Sequence, residues 1–288
     1  MRFGMLTPIV FRPPGQFSPW EIDAGTTELV QVAEVADRLG YHHLTCSEHI
    51  ALPERLESRG TTYWDPLATL SFLAARTSRI KLATHVLVLG YHHPLAIAKS
   101  YGTLDQLSNG RVILGVGVGS LAEEFELLGA DFRSRGNVAD DTLRAVRTAW
   151  GERLPRYHGT RYQFEGFVVD PHATQPSVPI WVGGYSPRSL RRALELGTGW
   201  VPFGIEPTRI VEMLGQAEIP AGFEVVLTPA PLDPIGEPQR TLDEIARWGD
   251  AGATVQNLVL RHRDLAHCLD QLRAFAELVG LENGGSAV

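Results

Sequence analysis

A glutamate and a histidine lie side by side at Glu48-His49, just after a short predicted strand that ends at Cys46. A histidine beside a carboxylate at the end of a strand can donate or accept a proton near neutral pH. A loop histidine that only packs or caps would give the same local pattern. We therefore treat His49 as a candidate acid–base catalyst with Glu48 beside it, and both interpretations stay open at this point.

The segment Gly183-Gly184-Tyr185-Ser186 follows another apolar run and precedes a proline. Glycines before a serine and a proline are typical of a turn that opens a helix, where free N–H groups and the helix dipole favour an anion. Arg188 and Arg191 add positive charge to the first turns of that helix. The segment is a candidate phosphate site, although a turn that needs glycine only for its geometry would have the same sequence.

A third glycine-rich segment is Gly115-Val116-Gly117-Val118-Gly119. It lacks the G-x-G-x-x-G spacing of a dinucleotide fingerprint. Gly117, Val118 and Gly119 are therefore candidates for the floor of a cleft that binds a ring-shaped coenzyme, and a merely tight turn is the alternative.

Other chemistries find little support in the sequence. The pairs His42-His43 and His92-His93 lack the spacing of metal-binding motifs, and so do the two cysteines, so no metal site is predicted. There is no G-x-S-x-G nucleophile elbow. An aldolase or isomerase would need a lysine at a strand end, but Lys81 begins a strand and Lys99 lies in a helix.

The elements that must position these residues are short apolar runs that alternate with helical patterns, which is typical of a parallel sheet. The sequence predicts a (β/α)8 TIM barrel with insertion segments at the C-terminal mouth, where such barrels carry their active sites. The alternative is an open doubly wound sheet, because strands six and seven are weak. The eight predicted strands are residues 2–6, 43–46, 81–87, 112–116, 179–182, 200–201, 224–227 and 254–260.

Helix signals support this order. Asp65-Pro66 and Ser186-Pro187 are typical helix starts, and residues 120–123 and 241–244 have the spacing of capping boxes. Residues 152–172 are expected to be an insertion, either a hairpin or a loop, rather than part of the barrel wall. The long segment 51–63 and Trp64 after it are expected at the substrate rim.

The bulk composition indicates one domain of 288 residues, with a disordered tail at about 282–288. A net charge of −7 argues against nucleic acid or an anionic membrane as a partner. Two cysteines, no signal peptide and no membrane-spanning run favour the cytoplasm.

An ordered series of motifs then gives a resemblance. The chain resembles the luciferase-like oxidoreductase superfamily, most closely its coenzyme F420-dependent branch, over roughly residues 1–203. The motifs are Ser47-Glu48-His49-Ile50, Trp64-Asp65-Pro66-Leu67, Pro94-Leu95-Ala96-Ile97-Ala98-Lys99, Asn109-Gly110-Arg111, Leu114-Gly115-Val116-Gly117-Val118-Gly119, Glu123-Glu124-Phe125 and Pro179-Ile180-Trp181-Val182-Gly183-Gly184.

The resemblance implies roles for several of these residues. His49 would face the ring as the proton donor or acceptor, and Glu48 would bind the ring or its linker. A non-proline cis peptide would fall at His85–Val86, where it supports the ring from behind. The coenzyme phosphate would lie on Gly183-Gly184 and the helix after them, together with Tyr185 and Ser186.

Two positions depart from the sugar-phosphate dehydrogenases of the family. Ser120, expected to contact the substrate, replaces the tryptophan or acidic residue of relatives, and Pro53 lies near where those dehydrogenases have an active-site tryptophan. Both differences count against glucose 6-phosphate as the substrate.

The leading hypothesis is therefore an F420-dependent oxidoreductase that transfers a hydride between the deazaflavin C5 and an unidentified small organic substrate, as a homodimer. The alternatives are an FMN-dependent luciferase-like monooxygenase and a flavin- or deazaflavin-binding barrel without turnover.

Overall fold

Short, almost fully buried strands alternate with helices in the computed structural model, which describes residues 1–15 and 17–281. The tail expected at 282–288 lies outside these residues. The strands are β1 (Arg2–Met5), β2 (His43–Cys46), β3 (Lys81–Thr84), β4 (Leu87–Val88), β5 (Val112–Gly117), β6 (Tyr157–His158), β7 (Gln163–Phe164), β8 (Ile180–Gly183), β9 (Gly199–Val201), β10 (Glu224–Leu227) and β11 (Val255–Leu258).

Prolines mark several helix starts, because a fixed φ suits the first helical position and the missing N–H is not needed there. Proline is the first residue of five of the helices that follow. The helices are α1 (Thr26–Arg38), α2 (Pro66–Ala74), α3 (Pro94–Ser108), α4 (Ala122–Leu127), α5 (Arg135–Trp150), α6 (Pro187–Leu196), α7 (Pro207–Gly215), α8 (Pro238–Asp250) and α9 (Leu265–Val279). None of the described helices has the length and apolar character that a membrane span requires.

Eight of the strands close into a parallel barrel. Their order around it is β1, β2, β3, β5, β8, β9, β10 and β11, and β11 pairs with β1 again. This closure confirms the predicted TIM barrel and excludes the open doubly wound sheet. The carboxyl ends of all eight strands meet at one mouth, where the candidate residues follow them.

The third predicted strand is interrupted near its end. β3 stops at Thr84, the peptide bond His85–Val86 is cis, and β4 then pairs with β5 instead of continuing the wall. The non-proline cis bond lies where the family resemblance placed it.

Glycines of the neighbouring strands make room for this interruption. A Cβ atom on Gly115 would collide with the backbone carbonyl oxygen of Thr84. A Cβ on Gly117 would lie 2.7 Å from Cγ2 of Val86, and one on Gly183 would lie 3.2 Å from Cγ1 of the same valine. These glycines allow Val86 to sit between the ends of β5 and β8.

The insertion after α5 contains the predicted hairpin, formed by β6 and β7. Its turn is held by the Asp141 carboxylate, which accepts hydrogen bonds from the backbone N–H groups of Arg161 at 2.8 Å and Tyr162 at 3.0 Å. Phe164 of the hairpin packs against alanines of α3 and α5, so the hairpin lies along the outer helices of the barrel. The mouth instead carries segment 51–63, which contains a short 3-10 helix, Glu54–Arg59.

Both predicted capping boxes are wrong, whereas the two Xaa-Pro starts are confirmed. Helix α4 has Leu121 as its N-cap without a side-chain hydrogen bond, and Thr241 lies inside α8 because Pro238 begins that helix earlier. By contrast, the Asp65 carboxylate accepts from the N–H of Ala68, and Ser186 Oγ accepts from the N–H of Ser189.

We expect Gly115→Ala to destabilise the fold, because its Cβ meets backbone rather than a movable side chain. The expected loss is about 3 kcal/mol, in the range of overpacked sites. Gly215→Ala is the matched control, since no atom lies within 4 Å of its Cβ position at the end of α7. Urea denaturation followed by circular dichroism measures both variants. Equal stability of the two variants would contradict the argument.

Candidate functional site

His49 lies just beyond the end of β2, with its ring held on two sides. Its Nδ1 atom is 2.7 Å from Oε2 of Glu124, and its ring packs edge-on against Tyr63 with 4.6 Å between ring centroids. The side chain is 24% exposed. Its Nε2 atom has no hydrogen-bond partner within the described part of the chain. The imidazole is thus fixed at one nitrogen and available at the other.

Glu124, on α4, is the centre of this arrangement although its side chain is closed to solvent. Besides His49, its carboxylate accepts hydrogen bonds from the N–H groups of Ile50 at 2.6 Å and Ala51 at 3.1 Å, and from the hydroxyl of Tyr91 at 2.9 Å. Burial raises the pKa of the Glu124 carboxyl, but the bonds from His49, Ala51 and Tyr91 lower that pKa more. The group is therefore a buried anion paired with four donors.

Glu48 points away from His49 and into the protein. Its Oε2 accepts from the N–H of Val88 at 2.6 Å, its Oε1 lies 2.7 Å from Nε2 of His92, and its side chain is 2% exposed. Both oxygens are thus occupied inside the chain. The structure places Glu48 behind the segment at residues 88–92, where it holds that segment against the end of β2.

His85 and Val86 lie beside this segment. The hydroxyl of Ser47 donates to the carbonyl oxygen of His85 at 2.7 Å, and the buried Nε2 atom of His85 has no partner among the described residues. Burial lowers the pKa of His85 to about 4, so its ring is neutral. His85 and Val86 together form a bulge after β3, and through Val86 this bulge contacts Gly117 at the end of β5 and Gly183 at the end of β8.

The glycines at the end of β5 are determined by packing inside the chain. Gly119 has a φ of +79°, and a Cβ there would lie 2.9 Å from Cγ1 of Val88 and collide with the ring of Phe125. Val118 is half-buried and packs on the core, whereas Ser120 is exposed. Gly117 and Gly119 are therefore required by their protein neighbours, which sequence reasoning did not foresee.

The turn after β8 leads into α6 as predicted. Gly184 has a φ of +119°, and its carbonyl oxygen accepts from the indole N–H of Trp200 at 3.0 Å. Tyr185 is 63% exposed and meets Phe203 edge to face, with ring centroids 5.6 Å apart. The turn thus offers a helix N-terminus beside an exposed aromatic pair.

Arg188 and Arg191 are both exposed near that turn. Arg188 donates to Oδ1 of Asn137 at 2.9 Å, and its guanidinium lies 3.9 Å from the Asp140 carboxylate. Positive charge therefore stands close to the predicted phosphate site.

Trp64 lies near the mouth but does not contact His49. It is half-buried, packs against the core, and its carbonyl oxygen accepts a weak bond from Sγ of Cys46 at 3.5 Å. Its neighbour Tyr63 makes the contact with His49 instead.

Sequence reasoning missed Glu124 and Tyr91 as parts of the site, and it placed Tyr63 only within the segment expected at the substrate rim. Glu124 belongs to one of the motifs that carried the resemblance, but no role was drawn from it. Among the side chains that the structure describes, no three or more His, Cys, Asp or Glu residues lie close enough together to hold a metal ion.

The family described as "Luciferase-like monooxygenase" matches residues 1–218 of the chain. An uncharacterized protein of Mycobacterium tuberculosis is 28% identical over 252 residues, which are 83% of this chain and 87% of that protein. An F420-dependent glucose-6-phosphate dehydrogenase of Amycolatopsis mediterranei is 30% identical over 181 residues, 62% of this chain and 53% of that protein. The oxygenase component of a flavin-dependent trigonelline monooxygenase of Acinetobacter baylyi is 28% identical over 173 residues, 59% and 46% of the two chains.

Two solved structures share the fold. An F420-dependent secondary alcohol dehydrogenase in complex with an F420–acetone adduct has a TM-score of 0.75 and 15% identity, over 97% of this chain and 98% of that one. Monooxygenase RslO1 from Streptomyces bottropensis has a TM-score of 0.74 and 23% identity, with the same coverage. The relatives thus include both F420-dependent and flavin-dependent enzymes.

The Glu124 carboxylate should stabilise the fold in a manner that depends on pH. Its pKa is lower in the folded chain, so its contribution is complete above the unfolded value of about 4.3 and is lost as the pH falls through the folded value. We expect Glu124→Gln to lower the free energy of unfolding by about 1–2 kcal/mol at neutral pH. The difference from the wild type should shrink in acid, as measured by urea denaturation at about pH 7 and about pH 3.5.

Glu123→Gln is the matched control, because Glu123 is exposed on the same helix and pairs with Arg55 at the surface. A loss of stability in Glu124→Gln that is the same at both pH values would argue against a depressed pKa.

Proposed function

The chain belongs to the luciferase-like monooxygenase family, and from that premise we propose that it is an oxidoreductase that transfers a hydride between coenzyme F420 and a small organic substrate. One observation carries the proposal: His49, the His85–Val86 bulge and the Gly183-Gly184 turn lie at the same barrel mouth. Val88 hydrogen-bonds to Glu48 beside His49, and Val86 adjoins Gly183. The three groups are therefore linked through neighbouring residues at the mouth and can face one ligand.

The residues of the mouth fit a tricyclic coenzyme with a phosphate. The N-terminus of α6 offers a favourable dipole to a phosphate, and Arg188 adds positive charge nearby. The N–H groups of Ser186 and Ser189 are already bonded to each other's hydroxyl groups, so a phosphate would use the remaining N–H groups of this turn. Val86 presents an apolar surface between the ends of β5 and β8, on which a flat ring can rest. The neutral imidazole of His85 precedes Val86 in the chain, and its buried Nε2 atom has no partner among the described residues.

We propose that His49 exchanges the proton that accompanies the hydride. The bound deazaflavin would supply or accept the hydride, while the protein provides position, a dry surface and hydrogen bonds. The free Nε2 atom of His49 would give a proton to the substrate oxygen in the reducing direction, or take it in the oxidising direction. Glu48 would act on the coenzyme indirectly, by holding segment 88–92.

The choice of F420 rests on the resemblance of the motifs and on the F420-dependent relative from Amycolatopsis mediterranei. The flavin-dependent monooxygenase relative supports the alternative, an FMN-dependent monooxygenase. A barrel that binds either coenzyme without turnover is the third candidate. The exposed Ser120 and the position of Pro53 continue to favour a substrate other than glucose 6-phosphate. We also propose a cytoplasmic homodimer, on the resemblance and the composition.

Purified protein should bind F420 at least about tenfold more tightly than FMN, as measured by titration calorimetry. Micromolar binding of FMN without binding of F420 would overturn the choice of coenzyme. The deazaflavin riboside that lacks the phosphate is the matched ligand. It should bind about tenfold or more weakly than F420, because it leaves the α6 N-terminus unused.

His49→Ala should reduce the rate of hydride transfer by about 10²–10⁴-fold, the usual contribution of an acid–base group, while the Kd for F420 changes little. Transfer is followed by the absorbance of F420 against a panel of alcohols and carbonyl compounds. His158→Ala is the control, because His158 is exposed on the β6–β7 hairpin outside the barrel. Equal rates in both variants would remove His49 from the reaction, and absence of turnover with every compound would favour the binding protein.

A further inference from the structure

The four donors around Glu124 divide between its two oxygens. Oε1 accepts from the backbone N–H groups of Ile50 and Ala51, while Oε2 accepts from Nδ1 of His49 and the hydroxyl of Tyr91. The side chain is sealed from solvent, so water cannot replace any of these donors. Segments that follow β2 and β4 are thereby tied to α4 at one point.

An ionised carboxylate can only accept hydrogen bonds. At 2.7 Å from this oxygen, Nδ1 of His49 must therefore carry the hydrogen. A neutral imidazole has one hydrogen, so its Nε2 is then left without one. That nitrogen is the one without a partner among the described residues, on the side of the ring that remains accessible.

We propose that Glu124 is a positioning residue that fixes His49 as the tautomer with hydrogen on Nδ1 and directs Nε2 toward the reacting group. The tautomer is a property of the chain itself, whereas its use in proton transfer rests on the proposed function. In its neutral form His49 presents a proton acceptor, which suits removal of a hydroxyl proton as a substrate is oxidised. Reduction of a carbonyl group starts from the protonated form, which returns to this tautomer after it donates from Nε2.

A glutamine at position 124 should invert the arrangement. The N–H groups of Ile50 and Ala51 can only donate, so they require the amide oxygen of the new side chain. The amide NH2 group then faces His49 and Tyr91, whose hydrogens can rearrange. Nδ1 of His49 becomes an acceptor, and its hydrogen moves to Nε2. The substitution thus changes the tautomer at nearly constant volume.

The test is 15N NMR of the histidine rings in the coenzyme-free full chain, in alkaline buffer where imidazole is neutral. The His49 signals are assigned by their loss in His49→Ala. We expect hydrogen on Nδ1 in the wild type and in Glu123→Gln, and hydrogen on Nε2 in Glu124→Gln. Hydrogen on Nε2 of the wild type, or no change of tautomer in Glu124→Gln, overturns the proposal.

The wild-type spectrum decides the matter even when Glu124→Gln does not fold, because it requires no change at position 124. Tyr91→Phe provides a further check, since it removes one donor and keeps the carboxylate. This variant should keep the hydrogen on Nδ1 of His49. A move of that hydrogen to Nε2 would show that Tyr91, and not Glu124, fixes the tautomer.

Kinetics separate this proposal from the proposed function. Glu124→Gln should lower kcat for the oxidising direction by about 10²-fold or more and shift its pH profile, with little change in the Kd for F420. Loss of the Nδ1 tautomer without a change in kcat would overturn the catalytic part of the proposal. An Nδ1 tautomer in a chain that never transfers hydride would refute the proposed function and leave the positioning intact.

Discussion

A carboxylate removed from water must be surrounded by hydrogen-bond donors, and two such carboxylates shape the barrel mouth. Glu48 takes donors from segment 88–92, and Glu124 takes donors from both that segment and the one after β2. Segment 88–92 is thus held by both carboxylates, whereas the segment after β2 is held by Glu124. The ring of His49 cannot leave its place unless a buried oxygen loses its donor, which costs about 1–3 kcal/mol or more. The position of the candidate catalyst is therefore part of the stability of the fold.

Packing on the barrel side also confines the chain from Val86 to Val88. Val86 fills the space that the missing side chains of Gly117 and Gly183 leave, and Gly119 admits Val88 and Phe125 on the other side. Protein interiors tolerate little extra volume, so each of these glycines is required by its neighbours. In the sequence these glycines suggest an open space for a ligand. In the structure, side chains of the same chain fill the space beside them. What they provide for a ligand is an apolar surface made by Val86, beside the polar turn at Gly184.

The sequence predicted the barrel well because its evidence is local. Each buried strand gives an apolar run, and the predicted bounds of all eight wall strands agree with the structure within three residues. The capping boxes failed because their residue types are common inside and between helices, and Pro238 and Leu121 decide where those helices begin. Glu124 was missed because its donors lie 33 to 75 residues away in the sequence, which no local pattern reveals. The direction of Glu48 was within reach of sequence reasoning, since adjacent residues of an extended segment point to opposite sides.

The two halves of the mouth therefore differ in how freely they can change. The half built on β2, β3 and β5 contains two buried glutamates that each accept several hydrogen bonds, so a single substitution there can disturb several contacts together. The half built on β8, β9 and β10 presents the exposed aromatic pair Tyr185 and Phe203, and the half-buried Thr228 follows the end of β10. Such a division keeps the surroundings of His49 fixed while the opposite side of the mouth is free to vary. Changes in the second half would alter the shape and polarity offered to a ligand. They would leave the contact between His49 and Glu124 in place.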